Sequence, residues 1–141
     1  MTELLEQLLK DRNQSIEKAK KKIIELEQFL TDSGMRENFH ISFSVQGSVR
    51  HAPIKSTVGK ARDTQYIDFG WDLLGEEWCL YYSDQIGSYV RKHKLNSASN
   101  DYQVLFVERM GIFLERMGEW VLNSNELLDK GISQMENVIC Q

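Results

Sequence analysis

The sequence predicts an α+β fold: a long N-terminal helix, an antiparallel sheet of three to four strands around a central hairpin, and two C-terminal helices packed on one sheet face. Three observations carry this. Apolar residues recur at heptad spacing over the first 30 or so positions, alternate with period two between residues 39 and 82, and return to helical spacing after residue 99. A single proline, Pro53, among 141 residues is far below the usual ~5% and leaves room for long uninterrupted helices.

In the first element, alternating steps of three and four pick out Thr2, Leu5, Leu9, Arg12, Ile16, Ala19, Ile23, Leu26 and Leu30 as the a and d positions of a heptad frame. No proline or glycine precedes Gly34, so residues 1–34 read as one helix of about 30 residues, on the order of 45 Å long. Thr2 suits the N-cap, and Gly34 after Asp32 and Ser33 suits the stop. Arg12 and Ala19 weaken the middle of the seam, whereas Leu4, Leu8, Ile24 and Phe29 widen the apolar stripe at both ends. A stripe that wide can face two neighbours, within the chain or across a homodimer. The dimer reading assigns Leu5, Leu9, Ile16, Ile23, Leu26 and Leu30 to the interface.

The sheet is expected over residues 38–84. Phe39, Ile41, Phe43 and Val45 alternate with His40, Ser42, Ser44 and Gln46, the pattern of a half-buried strand. Ile67, Phe69, Trp71 and Leu73 alternate with Asp68, Gly70 and Asp72, and Trp78, Leu80 and Tyr82 alternate with Cys79, Tyr81 and Ser83. A two-residue Gly75-Glu76 loop with glycine first fits a type II′ hairpin turn. It opposes Leu73 to Trp78, Trp71 to Leu80 and Phe69 to Tyr82, so the apolar faces coincide. Ile54, Ser56 and Val58 alternate weakly and suggest a further strand.

The C-terminal helical pair is expected over residues 99–139. Lys94 to Asn100 reads as a polar loop, Ser99 or Asn100 as the cap, and Leu105, Phe106, Met110, Phe113, Met117 and Trp120 as the apolar stripe of the first helix. Asn123-Ser124-Asn125 is read as a break, with Leu127, Leu128, Ile132, Met135, Val138 and Ile139 on a second, shorter helix. Glu108-Arg109-Met110-Gly111 recurs as Glu115-Arg116-Met117-Gly118, which sets two glycines on one helix row one heptad apart. Each costs about 1 kcal/mol relative to alanine. The row therefore suggests either close packing within the chain or a groove for another backbone or a flat ligand.

The whole reads as one domain, 1–141, rich enough in apolar residues (41%) to build a core without disulfide or metal. Cys79 and Cys140, the absence of a signal-peptide pattern and the absence of an apolar run approaching ~18 residues suggest a cytoplasmic, reducing setting and no membrane partner. The net charge of −4 argues against a general nucleic-acid coat. It is unevenly spread: residues 1–37 carry 7 basic and 8 acidic groups, 38–63 carry 4 and 1, 64–90 carry 0 and 5, and 91–141 carry 6 and 7. A segment of +3 thus precedes one of −5.

These patches are the candidate binding residues. Arg50, His51, Lys55, Lys60 and Arg62 stand among small residues, where backbone amides and long cationic side chains could clamp a phosphate or an acidic protein surface. The spacing is not that of a Walker A loop, since Ile54 and Ala61 stand where glycine and Ser/Thr are required. Tyr66, Asp68, Asp72 and Tyr81 share the hairpin face away from the core and could receive a basic partner, or simply form a wetted face. His40, His51 and His93 are scattered, neither cysteine has zinc-site spacing, and no nucleophile elbow or dinucleotide fingerprint occurs, so no catalytic residue, metal or cofactor is assigned. An enzyme would require a histidine such as His51 to lie within about 3 Å of an acid such as Asp68 or Asp72.

The expectation is a non-catalytic cytosolic interaction protein, regulatory or inhibitory, that dimerises through its N-terminal helix and binds a partner protein through the charged middle segment. The alternative is a domain that holds a nucleotide or other phosphate-bearing small molecule under the basic loop 50–62. Nucleic acid is disfavoured except locally at that loop.

Overall fold

The computed structural model describes residues 2–44, 66–86 and 89–140, in the order α1 (Thr2–Asp32), β1 (Phe39–Ser44), β2 (Tyr66–Leu74), β3 (Glu77–Ile86), β4 (Tyr89–Lys94), a 3₁₀ turn (Leu95–Ser97) and α2 (Asn100–Ile139). The class is α+β: among the described residues there are two helices and one four-stranded antiparallel sheet in the order β1-β2-β3-β4. The chain divides into two compact units, Met1–Arg109 and Met110–Gln141.

In the first unit, α1 is the heptad helix. Its end is a Schellman cap: Gly34 takes φ +75°, Met35 N–H donates to the Leu30 carbonyl at 3.0 Å, and Gly34 N–H donates to that of Thr31 at 3.1 Å. The cap is tied to the sheet by Trp71, whose indole N–H donates to the Met35 carbonyl at 2.9 Å. Ala19, Ile23, Leu26 and Leu30 are buried on α1. The helix face of the sheet supplies Ile67, Phe69, Trp71 and Leu80, all buried. Aromatic contacts order this layer: Phe69 meets Phe43 at 5.8 Å and Phe106 edge-on at 5.2 Å, and Trp71 stacks on Trp78 at 6.1 Å. Tyr82 lies between His93, at 4.9 Å, and Tyr102 of α2, at 4.1 Å.

The hairpin has the expected register, Leu73 opposite Trp78, Trp71 opposite Leu80 and Phe69 opposite Tyr82. Gly75 has φ +68° and Glu76 is not in the positive region, as a type II′ turn requires. The sheet continues beyond residue 84. A fourth strand, β4, pairs with β3 from Ile86 opposite Tyr89 to Tyr81 opposite Lys94. Its sequence, Tyr-Val-Arg-Lys-His-Lys, has no apolar alternation because it is an edge strand whose charges meet the acidic and aromatic groups of β3. The weak alternation at Ile54, Ser56 and Val58 lies outside the described residues, as does Val45.

The second correction concerns the C-terminus. In place of two helices there is one, the 40-residue α2, which runs through Asn123-Ser124-Asn125. Asn and Ser each cost only about 0.5 kcal/mol in a helix interior, and with no proline at the interruption the hydrogen-bond ladder has no reason to stop. Within the second unit, Phe113 and Met117 are buried. Leu127, Leu128, Ile132, Met135, Val138 and Ile139 are each 44–74% exposed.

Candidate functional site

Four of the sequence-chosen binding residues fall in the described structure, all on β2 and β3, and the sheet puts them to different uses. Tyr66 is 60% exposed. Asp68 is engaged by its neighbours across the strands, accepting hydrogen bonds from the hydroxyls of Ser42 on β1 and, at 3.3 Å, Ser83 on β3. Asp72 accepts from Lys92 Nζ of β4 at 2.7 Å and from Leu73 N–H at 2.8 Å. Burial opposes the Asp72 charge, but these bonds and the lysine charge outweigh it and hold the carboxyl below its ordinary 3.8.

Tyr81 is almost wholly covered, at 4% exposure. Its ring lies across Gly70, where a side chain would collide with it, and Lys92 Nζ sits 5.0 Å from its centroid. Burial, followed by Asp72 and Asp68, pushes its phenol up to about 12. At the hairpin end, Lys94 Nζ meets Glu77 at 3.3 Å. The acidic face is thus met from within the chain by the lysines of β4, and its Asp68, Asp72 and Tyr81 are already occupied. The sequence pattern hid this because the strand that supplies the lysines has no strand-like alternation.

The basic residues Arg50, His51, Lys55, Lys60 and Arg62 lie outside the described residues. The interface residues divide. Leu5 and Leu9 are exposed and Ile16 is half-buried, whereas Ile23, Leu26 and Leu30 are core residues of the single chain. A side chain already enclosed within its own chain has no surface left for a second copy, so the free apolar residues of α1 are Leu4, Leu5, Leu8 and Leu9, each 51–60% exposed, with Ile24 and Phe29, 58% and 63% exposed, nearer its C-terminal end.

Two features escaped the sequence. An open groove of about 520 Å³ lies between the end of α1 and the hairpin tip, floored by Met35, Leu73 and Trp78 and flanked by Arg36, Glu76 and Glu77. An apolar floor with charge of both signs at the rim can seat an aliphatic or aromatic side chain of a peptide. Trp78 was legible as apolar, but only the cap at Gly34 brings Met35 and Arg36 beside it. The other feature is Glu27 of α1. It accepts Leu80 N–H at 2.9 Å and Asn96 Nδ2 at 3.2 Å, closing the side of β3 where β4 has given way to the 3₁₀ turn. Burial, against those hydrogen bonds, raises its carboxyl above the ordinary 4.5.

His93 Nε2 lies 3.2 Å from Asp84, on the rim of the Tyr82 stack. Cys79 is buried, and burial, reinforced by Glu27, pushes its thiol up to about 11, which makes it a poor nucleophile. Among the described residues no three His, Cys, Asp or Glu side chains cluster as a metal would need, and no helix is long and apolar enough to cross a membrane. No protein-family model, no curated protein and no solved structure matches the chain.

Proposed function

We propose that the chain is a non-catalytic interaction protein, regulatory or inhibitory in kind, that forms a homodimer through the N-terminal part of α1 and binds a partner protein through its middle segment. The observation that carries the reading is the row of four exposed leucines, Leu4, Leu5, Leu8 and Leu9, on a helix whose Ala19, Ile23, Leu26 and Leu30 are used by its own core while Ile24 and Phe29 are exposed as well. Water contact at four adjacent leucines is a standing cost of roughly 1 kcal/mol or more each, and a second copy removes it. The partner clause draws on the +3 charge of residues 38–63, on exposed Tyr66 and on the groove at the hairpin tip.

Sedimentation velocity on the wild type and on Leu5→Glu with Leu9→Glu tests the dimer. The expected result is a dimer that the paired substitution converts to a folded monomer, with unchanged far-UV circular dichroism. The partner clause is tested by capture from the native host with wild-type bait and with Arg50→Glu plus Lys60→Glu bait. A protein retained by the first and lost by the second supports it, and equal recovery on both baits counts against it.

A further inference from the structure

We infer that the groove at the hairpin tip takes an extended peptide of the partner protein, with one large apolar side chain on the floor and, two positions to either side of it, one basic and one acidic residue. The inference rests on the partner clause of the proposed function and names the chemistry of that partner. The groove exists because β2 outruns β1: Phe39, the first residue of β1, stands opposite Trp71, so Asp72, Leu73 and Leu74 have no β1 residue beside them. Met35 and Arg36, just past the end of α1, line the groove with Leu73 instead. One residue fixes both sides of the floor. Trp71, fully buried, stacks on Trp78 at 6.1 Å and donates its indole N–H to the Met35 carbonyl at 2.9 Å. A site held in shape before anything binds gives up less freedom on binding.

The rim selects the occupant. Leu73 is 46% exposed and Met35 and Trp78 are half-buried, which leaves apolar surface on the floor for a side chain to cover. Of the three charged residues that line the groove, Glu77 is paired with Lys94 at 3.3 Å. Arg36, on the α1 side, and Glu76, on the hairpin side, are exposed and have no hydrogen-bond or ion-pair partner among the described residues, not even each other. The uncompensated charges are thus one of each sign, both in the groove itself. An occupant of a single sign would be attracted at one wall and repelled at the other, whereas one that carries both signs is matched at each. The open shape favours a peptide over a small molecule, because small ligands need enclosure over most of their surface. In an extended chain alternate residues point to the same side, about 6.6 Å apart, so the neighbours that share the anchor's side are those two before and two after it.

Selection of random peptides of about twelve residues, displayed on phage, against the full wild-type chain tests the inference. The selected peptides should share a large apolar residue with opposite charges at its second neighbours. A fluorescein-labelled selected peptide should bind the wild type at least tenfold more tightly than it binds Arg36→Glu or Glu76→Lys, read by fluorescence anisotropy. Both side chains are exposed, and unchanged circular dichroism checks the folding of the variants. The chain with both substitutions is the sharper test: it should prefer the same peptide with its two charges exchanged, a reversal that loss of structure cannot produce. Peptides that bind the wild type and the double variant alike, an enrichment without the apolar centre and paired charges, or no enrichment overturns the inference. In that case a host protein captured by wild-type bait and lost with Arg50→Glu plus Lys60→Glu leaves the partner clause standing. Equal recovery on those two baits counts against the clause itself, whatever the peptides do.

Discussion

Gly70→Ala is the substitution that probes the sheet most sharply. Gly70 sits in the middle of β2, opposite His40 on one side and Tyr81 on the other. Its φ is not in the positive region, so the backbone alone would accept alanine. Space would not. A Cβ built there lies 2.6 Å from the carbonyl oxygen of Phe39 and 2.6 Å from the Cε1 and Cζ atoms of Tyr81, against a normal separation of about 3.5 Å. The Tyr81 ring could swing away only by leaving Lys92, which is held 2.7 Å from Asp72, and the Phe39 oxygen could retreat only if β1 moved. Overpacking of this kind costs about 1–3 kcal/mol. Reducing the freedom of the unfolded chain returns about 0.4–1 kcal/mol. The expected net loss is about 1–2 kcal/mol, or a Tm lowered by roughly 3–8 °C for a chain of this size. Thermal and urea unfolding followed by circular dichroism, at one fixed protein concentration because self-association raises apparent stability, measures it. A variant as stable as the wild type would refute the stacking of Tyr81 on Gly70.

The other glycines and the buried polar groups give further outcomes. Gly111→Ala and Gly118→Ala place a Cβ where, among the described residues, nothing beyond the adjoining helix backbone lies within 4 Å, so each should raise stability by about 0.5–1 kcal/mol in the same unfolding experiment. Glu27→Ala strands the buried Leu80 N–H and should cost about 1–3 kcal/mol. Because folding raises the Glu27 carboxyl, it favours the protonated form; that contribution is complete below the ordinary 4.5 and is lost as the pH climbs through the raised folded value. Glu27→Gln keeps an acceptor for Leu80 without the charge, so its urea midpoint should fall less than that of the wild type over the same pH rise. With Cys140 exposed and Cys79 buried, a thiol-specific disulfide reagent should label one cysteine of the native chain promptly and the second only on unfolding.

What the sequence revealed and what it concealed divide along physical lines. The hairpin was legible because two local signals, alternation of apolar residues and a turn glycine, specify the same register. The Schellman end of α1 was legible because only a residue that tolerates positive φ can close it. Strand β4 was not, since an edge strand facing charged neighbours needs lysine and histidine rather than valine and isoleucine, and its reason for being a strand lies on β3. The break expected at Asn123-Ser124-Asn125 fails because weak helix formers lower stability without ending a helix. Three of the six seam residues read as interface, Ile23, Leu26 and Leu30, are buried within the chain, because periodicity identifies an apolar face without naming what covers it. The candidate site shows the same limit: Asp68 and Asp72 look free in the sequence because their partners, Ser42, Ser83 and Lys92, stand on three other strands.

The homodimer at the centre of the proposed function depends on whether the exposed leucines of α1 meet a second copy. The mass of the wild-type chain by sedimentation equilibrium, from 1 to about 100 µM, a range that spans ordinary homodimer affinities, decides it most directly. The expected result is a species of twice the 16.4 kDa chain mass that dissociates on dilution. A constant 16.4 kDa across the range would contradict self-association and leave the exposed stripe to a different protein.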